Sequence, residues 1–217
     1  TNAQIYQELK DRYSRKIKGI NDEGALITSM DDEETLRKLK KVADEYGARI
    51  GLDVAAGEIY SNGSYSYSSM NMDLDSREQM AFMQQLIDDF ELVYVEDPFD
   101  QDDFENHAKL TRQNPEVMIT GDDLFTTNRN RLETGIEKDA CNALIVKPNQ
   151  IGTVSAARST VEIAKENGYT PVISHRSGET CDHTISDLAL EWECPVIKAG
   201  ISDIRIAKLN RLIRLWE

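Results

Sequence analysis

Apolar residues recur along this chain at two different spacings. Ile5, Leu9, Tyr13 and Ile17 lie four apart, the period of an amphipathic helix, and Asn2 stands where such a helix would open. Asp31, with Glu34 three residues on and then Leu36, Leu39, Val42, Ala43 and Tyr46, predicts a second helix that Gly47 ends. Beyond it the pattern becomes regular. Short β-rich runs at 50–54, 92–96, 117–120, 143–146, 171–174 and 195–198 alternate with helical stretches starting near Arg77, Phe104, Arg129, Val154, Thr184 and Ile204. Strands buried on both faces with helices between them are βα units of a parallel sheet, so the expected fold class is α/β.

One long insertion, 55–74, carries Asn62-Gly63 between alternating residues, a hairpin-turn signal, and reads as an excursion from a βα loop. No Pro/Gly/Ser-rich tract divides the chain and no sequence repeat is present, so a single domain over 1–217 is expected. Six βα units fit an open doubly wound sheet or most of an eight-stranded barrel, and periodicity does not choose between them. The strand ends discriminate. Each run leads into a charged or catalytically plausible side chain: Asp53, Glu96, Asp122, Lys147, His175 and Lys198. A barrel brings six such points to one mouth, whereas an open sheet strings them along an edge.

Charge removes several function classes. Thirty-nine acidic residues against 25 Lys+Arg give a net charge of −14, which repels nucleic-acid phosphates and anionic lipid and favours solubility or cation binding. Cys141, Cys181 and Cys194 fit neither a metal knuckle nor a disulfide framework, which points to a reducing, cytoplasmic setting. No apolar run approaches the roughly 18 residues needed to span a bilayer, and the polar N-terminus has no signal-peptide pattern. The chain opens on Thr1 rather than Met, from which an upstream portion removed is expected.

Singly, each candidate has a plain structural reading. Asp53, Glu96 and Asp122 could be helix caps or turn residues, and Lys147 and Lys198 could reach solvent past apolar neighbours. His107 and His183 lie in polar surroundings and read as surface residues, and His175 could be a loop histidine. Together they say more. Three carboxylates at successive strand ends suit a hard cation such as Mg²⁺, and two lysines and a histidine then supply positive charge and proton transfer. Arg176-Ser177-Gly178 adds an arginine fork and loop amides of the kind that hold a phosphate.

Four segments carry a family resemblance: Val95-Glu96-Asp97-Pro98-Phe99, Gly121-Asp122-Asp123-Leu124, Lys147-Pro148-Asn149-Gln150-Ile151-Gly152 and Ser174-His175-Arg176-Ser177-Gly178-Glu179-Thr180. They resemble enolase signatures, in order, from Asn21-Asp22-Glu23-Gly24 to a closing Ile206-Ala207-Lys208-Leu209-Asn210, and look more archaeal than animal. The resemblance implies a TIM-type (β/α) barrel of the enolase superfamily, present as roughly its last six strand-helix units. It also implies a hydro-lyase that interconverts 2-phosphoglycerate and phosphoenolpyruvate in glycolysis and gluconeogenesis. By the same resemblance Asp53, Glu96 and Asp122 bind Mg²⁺, and Glu96 also belongs with the substrate-binding residues. Lys147 takes the proton from carbon 2 and Glu23 protonates the hydroxyl leaving carbon 3. Lys198 grips the substrate carboxylate, Arg176 and Ser177 hold the phosphate, and His175, counted with Glu23 and Lys147 as catalytic, lines the pocket and positions substrate.

The chain also departs from the family. Enolases have a preceding α+β domain and two earlier barrel strands, which this sequence does not contain. A partial chain is therefore expected, active with its upstream portion and commonly a homodimer or larger. Asn21 and Ala25 flank Glu23 where the family usually has glycines. Two other readings stand beside the leading one: another acid dehydratase of the superfamily, and a non-catalytic remnant kept as a protein-binding module.

Overall fold

The computed structural model describes residues 1–217. In chain order the first elements are α1 (Asn2–Arg12), β1 (Ile17–Ile20), β2 (Leu26–Thr28) and α2 (Asp32–Glu45). There follow β3 (Gly51–Asp53), a short α3 (Ala56–Ile59), β4 (Tyr60–Ser61), β5 (Ser64–Tyr67), β6 (Met72–Leu74) and α4 (Ser76–Phe90). The βα alternation continues with β7 (Tyr94–Glu96), α5 (Phe104–Gln113), β8 (Met118–Gly121), α6 (Arg129–Lys138) and β9 (Ala143–Val146). A short α7 (Pro148–Ile151) precedes α8 (Val154–Glu166), β10 (Thr170–Ser174), α9 (Thr184–Glu191), β11 (Val196–Lys198) and α10 (Ile206–Trp216). Each of the six β-rich runs forms a strand.

Side-chain caps set where the helices begin. Asp31, Asp75, Asp103, Asn128 and Thr153 each accept a backbone N–H from the first turn of α2, α4, α5, α6 and α8. Such a cap is worth about 1 kcal/mol. At α4 the cap is reciprocal: the Glu78 carboxylate accepts the Asp75 N–H at 2.9 Å.

The chain forms two compact units, 50–172 and the pair of segments 1–49 with 173–217. Within 50–172 the strand order is β3-β7-β8-β9. β3 pairs parallel with β7, β7 with β8, and β8 with β9. All four residues of β9 are buried, as a strand covered on both faces requires. Helix α4 turns Gln79, Phe82, Met83, Leu86, Ile87 and Phe90 inward, one face of a 3.6-residue period. The 55–74 insertion makes an antiparallel sheet in the order β4-β5-β6. Its tight turn has positive φ at both Asn62 (51°) and Gly63 (85°), which the Asn-Gly pair tolerates. Tyr67 donates its hydroxyl to Gln79 at 3.0 Å, Gln79 donates to the Pro98 carbonyl at 2.8 Å, and the Asp100 N–H donates to Tyr65 at 3.1 Å. The insertion thereby braces the loop that follows Glu96.

In the other unit, β1 and β2 form an antiparallel hairpin, α1 packs on α2, and α9 packs on α10. Ile17 begins β1 and lies outside the first helix, which stops at Arg12 where Tyr13 caps it. The four-residue spacing from Leu9 and Tyr13 reaches Ile17 by coincidence. His107, expected at the surface, is wholly buried. Its Nδ1 lies 2.8 Å from the Asp103 carbonyl and its ring meets Phe99 edge-on, because α5 turns that face inward. His183 is exposed, as expected.

Candidate active site

The expected site residues fall into two groups, one in each unit. In 50–172, four of them end or follow neighbouring parallel strands: Asp53 ends β3, Glu96 ends β7, Asp122 follows β8 and Lys147 follows β9. Asp53 and Glu96 are register partners, and residues paired in a parallel ladder turn to the same face of the sheet. Glu96 is 1% exposed and accepts a hydrogen bond from the Tyr94 hydroxyl. Burial, with Glu96 second, pushes the Tyr94 phenol far above its ordinary value.

Lys147 pairs with Asp122 through its Oδ2. The other oxygen, Asp122 Oδ1, is buried with no hydrogen-bond partner. A buried carboxylate oxygen left open costs stability unless something electropositive meets it. Beside it, one carboxylate oxygen each of Asp97, Asp122 and Asp123 lie within 4.8 Å of one another. The open Asp122 oxygen, with Asp123 beside it, fits a hard divalent cation.

Asp97 belongs to the Val95–Phe99 segment, where the sequence marks no role for it. Its Oδ1 accepts the Asp122 N–H at 2.9 Å and its Oδ2 accepts the Asp123 N–H at 2.8 Å. Its own backbone lies in the left-handed region at φ 43°. Burial pushes Asp97 up to about 8, opposed by those two N–H bonds. Burial, then the neighbouring Asp122 charge, also raises Asp123. With both oxygens committed to backbone, Asp97 holds the Asp122 loop in place. Acidic residues in turns are so common that sequence gave no reason to single it out.

The remaining candidates belong to the other unit. Glu23 lies in the β1–β2 turn, where the Asn21 side chain accepts the N–H groups of Glu23 at 3.0 Å and Ala25 at 2.8 Å. That Asx geometry shapes the loop around Glu23. His175 Nε2 lies 4.0 Å from Glu23 Oε2. The His175 N–H donates to the Lys198 carbonyl at 3.0 Å, joining the ends of β10 and β11. Burial lowers the His175 pKa, with Glu23 opposing and Arg205 reinforcing the shift, so the ring is held toward its neutral form. Its Nδ1 is buried without a partner.

Arg176 and Ser177 follow directly. Glu179 Oε1 accepts the Arg176 N–H at 2.9 Å and Oε2 accepts the Thr180 N–H at 3.2 Å. Lys208, 1% exposed, pairs with Glu179 and donates to the Thr180 carbonyl at 2.8 Å. Arg205, also 1% exposed, donates to the Ser177 carbonyl at 2.5 Å. Burial would raise Glu179, but the hydrogen bonds from Lys208, Arg176 and Thr180 outweigh it and hold the carboxyl below its usual value. None of Glu179, Arg205 or Lys208 was singled out as a site residue from sequence. One signal was available: Lys208 stands between Ile204 and Leu212 at four-residue spacing, a charge on an otherwise apolar row.

The family described as "Enolase, C-terminal TIM barrel domain" matches residues 1–217, the whole chain. The chain belongs to this family. Curated enolases from archaea are similar along its full length. The enolase of Natronomonas pharaonis is 46% identical over 222 residues, covering 99% of this chain and 55% of the relative. That of Archaeoglobus fulgidus is 43% identical over 227 residues, covering 100% and 56%, and that of Methanocorpusculum labreanum 42% over 228 residues, covering 100% and 57%. The chain thus spans about half the length of the curated enolases it matches. The barrel fold class and the archaeal enolase resemblance read from the sequence are both borne out. No helix is long and apolar enough to cross a membrane.

Proposed function

We propose that this chain carries the catalytic barrel portion of an enolase, a lyase that reversibly dehydrates 2-phosphoglycerate to phosphoenolpyruvate with Mg²⁺ as cofactor. The observation that carries the reading is the state of Asp122: one oxygen is paired with Lys147 and the other is buried and open. In this reading Lys147, the proton acceptor, stands directly beside Asp122, a cation ligand.

In this reading Asp53, Glu96 and Asp122 hold the ion, with Asp97 fixing the loop of Asp122. When bound, Mg²⁺ supplies positive charge that stabilises the dianion formed as the carbon-2 proton leaves. Enolase-superfamily sites pair a Lys or His base with Mg²⁺, and Lys147 takes the base role here. Glu23, beside a His175 held toward neutrality, gives a proton to the hydroxyl leaving carbon 3. Arg176 and Ser177 bind the phosphate, Lys198 the carboxylate, and Glu96 stands with the substrate-binding groups. In this reading the protein acts in the cytoplasm as a homodimer or larger assembly.

A coupled assay with 2-phosphoglycerate, with and without Mg²⁺, tests this on the protein in its longest natural form. Metal-dependent phosphoenolpyruvate formation supports the proposal. Its absence, with the fold intact, would favour a non-catalytic role.

A further inference from the structure

We propose that Glu179, Lys208 and Arg205 form a latch that positions the Arg176-Ser177-Gly178 backbone to receive the substrate phosphate. The proposal rests on the substrate assignment above and names residues that act through that loop. Glu179 ties the loop's two ends together, since its two oxygens accept the N–H groups of Arg176 and Thr180. Lys208 reaches from α10 to fasten this carboxylate and the Thr180 carbonyl.

Lys208 is buried on a row otherwise held by Ile204 and Leu212, and a buried ammonium is costly unless its hydrogen bonds are met. The Glu179 carboxylate and the Thr180 carbonyl meet two of its three donors within the loop, and the Lys208 carbonyl is itself fixed by the Ser186 hydroxyl at 2.8 Å. Such a cation binds α10 rigidly to the loop.

Arg205 sets the middle of the segment. It draws the Ser177 carbonyl toward itself, and in a planar trans peptide the next N–H points the opposite way. The Gly178 N–H is therefore turned away from Arg205, and in this proposal it is the amide that meets the phosphate. Gly178 has open space where a side chain would begin, so a phosphate can approach its backbone closely.

The test uses Glu179→Gln, Lys208→Met and Lys208→Arg in the longest natural form of the protein. Glu179→Gln keeps the shape of the side chain and serves if Lys208→Met fails to fold. The expected result for the folded Gln and Met variants is a KM for 2-phosphoglycerate raised at least tenfold with kcat within about threefold, and recovery of most of that loss in Lys208→Arg. Unchanged KM in folded Glu179→Gln, or a loss confined to kcat, overturns the latch. Hydrogen exchange of amides 176–180, read without substrate, separates the two proposals. If the parent shows no turnover of 2-phosphoglycerate, the proposed function falls. The latch then stands on at least tenfold faster exchange confined to that loop in Glu179→Gln, and is overturned if exchange there is unchanged.

Discussion

Asp97 accepts the backbone N–H of Asp122 at 2.9 Å, so the carboxylate after one strand sets the position of the carboxylate after the next. Asp97→Ala removes this bond and the one to Asp123. Two N–H groups lose their acceptor, worth about 2 kcal/mol together, and the melting temperature is expected to fall by roughly 4–8 °C. The Mg²⁺ concentration for half-maximal activity should also rise at least tenfold. A normal metal requirement in this variant would separate Asp97 from the cation site.

Mg²⁺ itself should stabilise the folded chain. A ligand present at 100 times its Kd adds about 2.7 kcal/mol when it binds only the native state. Calorimetric scans with and without the ion are expected to show that rise, and Asp122→Asn should abolish most of it. A rise of equal size in Asp122→Asn would place the ion elsewhere.

Lys147→Ala is expected to abolish exchange of the carbon-2 proton with solvent while 2-phosphoglycerate still binds measurably. Isotope exchange followed by NMR reads the first and titration calorimetry the second. Normal exchange would remove Lys147 from the role of base.

His107 predicts a pH dependence of stability. Burial lowers its pKa from 6.5 to about 4 in the folded state. Above about 6.5 the ring is neutral folded or unfolded and the protein keeps its full stability. As pH falls from there toward 4, the unfolded chain gains a proton that the folded chain refuses, and up to about 3 kcal/mol is lost. Urea midpoints should fall between pH 7 and 5, and His107→Phe should flatten that slope.

Much of this architecture was legible in the sequence because local signals and tertiary demands agree. Asp31 with Glu34, and apolar runs such as 143–146, predict elements that packing then keeps. Disagreement arose where spacing alone was followed: Ile17 continues the period of α1 yet starts β1, and His107 has polar neighbours in sequence but faces inward. In the site, the strand-end residues Asp53, Glu96, Asp122 and Lys147 could be named because a strand end is a local feature. The supports could not. Asp97, Glu179, Arg205 and Lys208 gain their meaning from bonds across 25 to 29 residues of chain, which no local pattern reveals.

The Asn62-Gly63 turn has one practical consequence. Both residues are exposed, and the bonds that brace the Glu96 loop run through Tyr65, Tyr67 and Gln79, below the tip. An epitope tag or a short foreign domain spliced between Asn62 and Gly63 would extend into solvent and leave those anchors in place, giving a handle for immobilising the protein by a point remote in bonding from its chemistry.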